Sequence, residues 1–113
     1  MANQMIFTAL ADPTRRTLFE HLRAGAQTVS QLSASQPVSR PAVSQHLRVL
    51  HDAGLVEVSP QGTRRFYSIR RAGLNELRDY LDSFWSDVLT AYSNEIERTV
   101  SGRNNAGTNP QDD

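Results

Sequence analysis

The stretch VSRPAVSQHLRVLHDAGLV, residues Val38 to Val56, combines helical apolar spacing with a polar opposite face. Val43, Leu47 and Leu50 recur at intervals of four and three residues, which places them on one side of a helix. Such a stripe is typical of a helix that packs against a core. The stretch therefore predicts a half-buried helix whose other face is open to solvent.

This helix has start and stop signals of its own. Ser39 offers an N-cap oxygen, and Pro41 is tolerated in the first turn, where its missing N–H is not needed. Gly54 supplies the C-terminal stop, so the helix is predicted from Arg40 to Ala53. Guanidinium, hydroxyl and amide groups make up its outward face: Arg40, Ser44, Gln45 and Arg48.

Three shorter helices are predicted before it. Residues 3–10 place Met5, Ile6 and Leu10 on one side of a short helix. Residues 12–25 begin with an Asp-Pro pair suited to a helix start and end at a glycine. A short helix opens with a Thr and a Gln at capping-box spacing, Thr28 and Gln31, and ends before Gln36 and Pro37.

After Gly54 the spacing of the apolar residues changes from helical to extended. LVEVS and RRFYSI are rich in branched and aromatic residues and flank the turn-like PQGT, which predicts a β-hairpin over residues 55–69 with Arg64 and Arg65 at its tip. From Ala72 onward, large apolar residues recur every three or four positions, which predicts one long amphipathic helix. Residues 101–113 are polar and are predicted to be a disordered tail.

These elements define a fold class and a domain plan. The chain is predicted to be mainly α with a small β-hairpin, as a winged helix-turn-helix over residues 1–100, followed by the tail. At 113 residues the chain has room for a modest core, so dimerisation is expected. Its terminal helices are the predicted dimer contacts, with these residues at the interface: Met5, Ile6, Leu81, Phe84, Trp85, Val88 and Tyr92.

Composition narrows the function classes. The chain has no cysteine, which excludes disulfides and thiolate metal sites. It has neither an apolar run of about 20 residues nor a signal-peptide pattern, so a soluble cytoplasmic protein without membrane contact is expected. The net charge is zero but polarised: nine arginines and four acids between Asp12 and Arg71 give +5, whereas three arginines and eight acids from Ala72 onward give −5. A basic half suits a polyanion or a solvated charged face equally well.

The outward face of the predicted Arg40–Ala53 helix matches the chemistry of base edges in the DNA major groove. Arg40 and Arg48 can donate to guanine or phosphate, and Gln45 can pair with adenine. The hydroxyls of Ser39 and Ser44 suit bases or phosphates, and Pro41 offers apolar surface to a thymine methyl. In a winged helix-turn-helix this helix enters the major groove, while the hairpin reaches the backbone or the neighbouring minor groove.

Three motifs together carry a family resemblance. ADPTRRTLFEHL, SRPAVSQHLRVLHDAGLVEV and GTRRFYSI, read in that order, resemble the ArsR/SmtB family of bacterial winged-helix transcriptional regulators over roughly Met5 to Tyr92. The resemblance implies a homodimeric repressor on a palindromic operator, with the first and last helices at the dimer interface. It also implies these DNA-binding positions: Ser39, Arg40, Pro41, Ser44, Gln45, Arg48, Gly62, Arg64 and Arg65.

The chain departs from the metal-sensing members of that family. The helix before the recognition helix, TVSQLSA, has no cysteine, and the C-terminal helix has no histidine. His46 and His51 lie five residues apart, a separation that points them in different directions around a helix. The sequence therefore resembles the metal-independent branch, which includes autorepressors and members that respond to an organic ligand or a protein partner, and no cofactor is expected.

Several features of the sequence allow more than one interpretation. Arg15 and Arg16 lie near a helix start, where cations are disfavoured, so either phosphate contact or an intrachain salt bridge is expected. The aromatic residues of the last helix favour an interface over a ligand pocket. A protein-interaction module docking through the acidic C-terminal helix is the rival to DNA binding. An enzyme is not expected, because the sequence has no nucleophile motif, no glycine-rich phosphate loop and no paired carboxylates.

Overall fold

The computed structural model describes the backbone of residues 2–103 and the side chains of residues 3–100. Five helices, one short 3-10 turn and one hairpin follow each other along this part of the chain. They are α1 (Ala2–Ala11), α2 (Pro13–His21), the 3-10 turn (Leu22–Ala24), α3 (Val29–Ala34), α4 (Arg40–Asp52), β1 (Val56–Gln61), β2 (Arg64–Ile69) and α5 (Arg71–Arg103). The predicted architecture, mainly helical with one hairpin, is confirmed.

Side-chain caps determine where the first helices begin. The Asp12 carboxylate accepts the backbone N–H of Arg15 at 3.0 Å and caps α2. Thr28 and Gln31 form the predicted capping box at the start of α3. The Ser39 hydroxyl accepts the backbone N–H of Ala42 at 3.3 Å and caps α4. All three caps confirm the helix starts predicted from sequence.

A single apolar core holds these helices and the start of the hairpin together. Its centre includes the α4 stripe of Val43, Leu47 and Leu50, all fully buried. Every helix from α1 to α4 contributes to it, and so does the chain between α4 and β1. The remaining core residues are Ile6, Ala9, Leu18, Phe19, Leu22, Leu32, Ala53, Leu55 and Val56.

The hairpin is antiparallel and closes through a two-residue loop. Gln61 pairs with Arg64, which leaves Gly62 and Thr63 as the loop. Gly62 has a φ of +64°, the conformation that the first position of a type II′ turn requires. A second contact anchors the hairpin: Tyr67 and Gln27 exchange two backbone hydrogen bonds of 2.8 and 2.9 Å. The hairpin is therefore tied to the turn that precedes α3.

The turn after α4 touches the first turn of α5 without an intervening side chain. A Cβ built on Gly73 would lie 2.0 Å from the carbonyl oxygen of Gly54, so this position accommodates only glycine. Arg70 reinforces the junction: its backbone N–H donates to the Leu55 carbonyl at 2.8 Å, and its guanidinium donates to the Gly54 carbonyl at 3.2 Å. Backbone contact thus sets how α5 begins.

The chain divides into two compact units, one up to Arg78 and one from Asp79 onward. In the second unit, every side chain between Asp79 and Val100 is exposed. The helix continues to Arg103, three residues past the boundary predicted at residue 100, and the rest of the predicted tail, residues 104–113, lies outside the described residues. No helix within residues 2–103 combines the length and the apolar character needed to span a bilayer.

Arg15 and Arg16 have a role that the sequence analysis did not predict. Arg15 donates to the carbonyls of Ala9 at 2.6 Å and Thr8 at 3.3 Å, and Arg16 donates to the Leu10 carbonyl at 2.7 Å. These carbonyls lie at the C-terminal end of α1, where cations are favoured. The intrachain salt bridge, one of the two expected alternatives, is absent from the described side chains, and the two arginines cap the preceding helix.

The interface prediction for α1 needs one correction. Ile6 is fully buried in the core of its own chain, so its side chain offers no surface to a second copy. Met5, predicted to share its face, is 46 % exposed, and Phe7 is exposed as well. Consecutive helical residues point about 100° apart, which explains how Met5 and Ile6 separate.

Candidate DNA-binding surface

One face of α4 is buried and the opposite face is open. The buried stripe lies against the core, so the register of the helix is fixed by packing and cannot rotate freely. The outward side chains predicted from sequence to contact DNA are all exposed: Ser39, Arg40, Pro41, Ser44, Gln45 and Arg48. A rigid helix therefore presents a row of hydrogen-bonding groups to solvent.

A cleft of about 500 Å³ lies between this face and the hairpin. It brings Ser44, Gln45 and Arg48 of α4 together with Arg65 of β2. The other lining residues are His51, Asp52, Val58 and Tyr67. Side chains separated by about 20 residues in sequence thus converge on one concave surface.

A second, smaller cleft of about 330 Å³ adjoins the hairpin tip. Arg64 and Arg65 line it together with Ser44 of α4. The remaining lining residues come from α3, its N-cap and the hairpin: Thr28, Val29, Ser30, Thr63 and Tyr67. Hydroxyl groups and guanidinium groups dominate this lining, a combination that suits phosphate oxygens.

The N-terminal end of α4 stands apart from both clefts. Ser39, Arg40 and Pro41 are exposed there but line neither cleft. The Ser39 oxygen already accepts a backbone hydrogen bond as the cap of α4, while its hydroxyl hydrogen is free to donate. This end is where a recognition helix contacts base edges in a helix-turn-helix.

Strand alternation separates the two wing arginines. Arg65 pairs with Pro60 across the hairpin and lies on the same strand face as Tyr67. Arg64 lies on the other face with Phe66, and its guanidinium carbon is 5.3 Å from the centroid of the Phe66 ring. Gly62, also predicted as a wing residue, is exposed in the loop between the strands.

The surface carries positive charge that no acid neutralises directly. In the region where side chains are described, Arg40, Arg48, Arg64 and Arg65 form no ion pair. Asp52 is the acid in the larger cleft, and its carboxylate lies 3.7 Å from His51 Nδ1. Unpaired guanidinium groups supply the local potential that attracts a phosphate backbone.

Behind the surface, α4 is linked to α1 and α2 through His46. Its Nδ1 lies 3.4 Å from an Nη1 of Arg15, the same guanidinium that caps α1. Nearby, the backbone N–H of Arg15 lowers the pKa of Asp12 from its ordinary value, with help from the charges of Arg15 and His46. No group of three or more His, Asp or Glu side chains within the described residues is arranged to hold a metal ion.

Sequence reasoning missed several lining residues. Tyr67 follows Arg65 by two positions, so strand alternation would have placed both on one face. Thr63 adjoins Gly62, which was included in the wing. Nothing in the local sequence indicates that Thr28 and Ser30 lie beside the wing. They do so because the Tyr67–Gln27 contact brings the hairpin next to α3.

A capped helix pair with an exposed polar second helix, followed by a hairpin with unpaired arginines, defines a winged helix-turn-helix DNA-binding protein. The family model described as "Bacterial regulatory protein, arsR family" matches residues 12–58, which span α2 to β1. Together with the relative described next, this match shows that the chain belongs to the ArsR family of DNA-binding transcriptional regulators. These proteins are regulators and not enzymes.

Similarity extends well beyond the matched motif. The HTH-type transcriptional regulator Rv2034 of Mycobacterium tuberculosis is 52 % identical over 89 residues, which cover 79 % of this chain and 83 % of that protein. The transcriptional repressor SdpR of Bacillus subtilis is 28 % identical over 79 residues, 70 % of this chain and 88 % of its own. A crystal structure of a possible transcriptional regulator for arsenical resistance has 48 % identity and a TM-score of 0.64, covering 75 % of this chain and 92 % of the other.

Proposed function

We propose that two copies of this chain bind an inverted-repeat operator and repress transcription by occupying a promoter. In each copy, α4 enters the major groove and the hairpin lies along the adjacent backbone or minor groove. Arg40, Ser44 and Gln45 read bases, while Arg48 and the wing arginines supply mainly phosphate contacts. The observation that carries this proposal is the convergence of Ser44, Gln45, Arg48 and Arg65 on one exposed cleft.

The proposed dimer rests on the exposed apolar face of α5. Nine large apolar side chains between Tyr80 and Val100 are 40 to 64 % exposed. A surface patch of this extent is typical of a protein interface, because it costs free energy to leave it in water. We assign the dimer contacts to Met5 of α1 and to these residues of α5: Leu81, Phe84, Trp85, Val88 and Tyr92.

A two-fold dimer determines the form of the operator. If the two recognition helices address successive major grooves, they are about 34 Å apart, or one turn of B-DNA. Binding both half-sites together raises the affinity far above that of one half-site. Any effector that changes the spacing or angle between the two helices then releases the DNA.

We further assign the chain to a metal-independent branch of the family. The similar crystal structure is described in terms of arsenical resistance. This chain has no cysteine, so it has no thiolate that could bind an arsenical or another soft ligand. An organic molecule or a protein partner is the remaining class of effector.

Selection of bound sequences from a random DNA pool tests the proposed function. We expect an inverted repeat with one preferred half-site spacing, and an affinity that falls steeply with salt concentration. Equal binding to every sequence, or selection of a single half-site by a monomer, would contradict the proposal. A protein that binds no DNA would favour the interaction-module alternative.

A further inference from the structure

The two neighbouring arginines of the hairpin tip are held differently. Arg65 lines both clefts beside the hairpin, whereas Arg64 lines the smaller cleft but not the larger one. Arg64 lies over the ring of Phe66, with 5.3 Å between its guanidinium carbon and the ring centroid. Within the described side chains, Arg65 has no aromatic contact of this kind.

The geometry of the hairpin accounts for this pair. Arg64 and Phe66 are two residues apart on one strand, so both project from the same face. Arg64 occupies the first paired position after the loop, opposite Gln61, and Phe66 is opposite Ser59. Phe66 is half-buried and therefore less free to move than the exposed arginine above it. A guanidinium within about 6 Å of a ring centroid is attracted to the ring face.

We infer that Phe66 is a positioning residue for DNA binding, which holds the Arg64 guanidinium in place at the hairpin tip, beside the smaller cleft. An unrestrained exposed arginine loses rotamer freedom when it binds DNA, and this loss lowers the affinity. Stacking on Phe66 restricts Arg64 beforehand and leaves its N–H groups free at the edge of the guanidinium plane. The inference rests on the proposed function, because it assigns a role within the same DNA-binding surface.

The two arginines then act separately. Arg65 lies with Gln45 and Arg48 of α4 in the larger cleft, whereas Arg64 lies over Phe66 and lines the smaller cleft. Loss of the Phe66 ring is expected to affect the contribution of Arg64 and to leave that of Arg65 intact. Sequence adjacency alone would have predicted the same effect on both.

A double-mutant cycle tests this inference. Phe66→Leu removes the ring but keeps an apolar side chain, and Phe66→Tyr keeps the ring. With the 113-residue chain and its selected operator, we expect Phe66→Leu to weaken binding about two- to fivefold, within the range that immobilising one exposed side chain costs. Phe66→Tyr should bind like the wild type. In an Arg64→Gln background, Phe66→Leu should have no further effect.

Arg65→Gln provides the matched control background. Here Phe66→Leu should again weaken binding about two- to fivefold, because Arg64 is still present to be positioned. A loss of the same size in the Arg64→Gln and Arg65→Gln backgrounds would overturn the inference. A wild-type affinity for Phe66→Leu would overturn it as well.

A loss of folding has a different signature from a loss of positioning. In backgrounds of equal stability, a smaller folded fraction weakens binding by the same factor, so the cycle separates the two effects once urea denaturation has shown that Arg64→Gln and Arg65→Gln are equally stable. If Phe66→Leu does not fold, Phe66→Trp replaces it. The larger ring should change binding in the presence of Arg64 and have no effect in the Arg64→Gln background, and an equal change in both would overturn the inference.

The same experiment distinguishes the kind of DNA contact. A phosphate contact predicts that Arg64→Gln weakens binding to all sequences alike and reduces the salt slope by about 1. A minor-groove contact predicts a loss concentrated on operators with A·T-rich flanks, where the groove is narrow. Either result supports positioning by Phe66 if the cycle shows the coupling.

Failure of the proposed function would be visible separately. A wild type that binds DNA without sequence preference contradicts the operator proposal, yet the cycle can still be measured on any duplex. A wild type that selects an inverted repeat but shows no coupling between Phe66 and Arg64 contradicts only the present inference.

Discussion

The helices α4 and α5 have the same apolar periodicity, but their apolar faces differ in burial. In both, large apolar residues recur every three or four positions. The α4 stripe is fully buried in the core, whereas the apolar residues of α5 beyond Arg78 are 40 to 64 % exposed. Periodicity therefore specifies which residues share a face, but it does not specify what covers that face.

This contrast assigns opposite roles to the two helices. In α4 the apolar face stabilises the fold, which leaves the polar face for recognition. In α5 beyond Arg78 the apolar face is exposed, and we propose that it contacts a second copy. Substitutions on the two helices should separate these roles.

Leu47→Ala should cause the largest loss of stability. The side chain is fully buried in the α4 stripe, so truncation leaves a cavity and costs about 2 to 5 kcal/mol in the free energy of unfolding. Urea denaturation measures the loss. Gln45→Ala, on the exposed face of the same helix, should change the free energy of unfolding by at most about 0.5 kcal/mol. Similar losses for both variants would contradict the division.

Trp85→Ala should act on association. Trp85 is 60 % exposed in the single chain and has the residue type that dominates interface energetics. We expect the dimer dissociation constant to rise about 30-fold or more, which corresponds to about 2 kcal/mol. Sedimentation over a range of concentrations measures it, with Ser86→Ala as the matched exposed control. An unchanged mass at low concentration would remove Trp85 from the interface.

Arg40→Ala should weaken operator binding without unfolding the protein. If Arg40 reads a guanine, the loss is about 1 to 3 kcal/mol on the selected operator and smaller on random DNA. Fluorescence anisotropy with operators changed one base pair at a time measures this difference. A uniform loss on all sequences would reassign Arg40 to a phosphate contact.

Asp12→Asn should have the smallest effect, and the effect should depend on pH. The backbone N–H of Arg15 lowers the folded-state pKa of Asp12 below its ordinary value of about 3.9. The charged carboxylate therefore stabilises the fold above that pH, and this contribution is lost as the pH falls through the folded-state pKa. Asn keeps the N-cap oxygen but cannot ionise.

Urea denaturation at pH 6 and at pH 3 measures this difference. Wild type should be more stable than Asp12→Asn at the higher pH, and the gap should narrow at the lower pH. Glu20→Gln, an exposed acid of the same helix that caps no backbone N–H, serves as the control. A gap that widens on acidification would contradict the assigned cause.

Much of the fold could be predicted from the sequence because its signals lie within a few residues of one another. A cap needs only one side chain within three residues of a backbone N–H, so Asp12, Thr28 and Ser39 could be identified without a structure. The α4 stripe and the hairpin also follow from short-range patterns. The candidate recognition face is a consequence of that stripe, since residues opposite a buried face must be exposed.

Features that depend on packing between distant segments were not predictable in this way. Arg15 contacts the end of α1 and His46 of α4, and nothing in its own helix indicates either partner. Ile6 is buried because several helices enclose it, although its neighbour Met5 is exposed. The clefts beside the hairpin exist because Tyr67 is bridged to Gln27, a pairing across 40 positions of sequence.

The junction between Gly54 and Gly73 also limits how this chain can vary. Most contacts between elements can be retuned over generations by exchanging one side chain for another of different size. Here two backbones meet directly, and even a methyl group at position 73 would force them apart. New variants of this regulator are therefore expected to keep glycine at position 73, because no side chain can be introduced there without moving the backbone at Gly54.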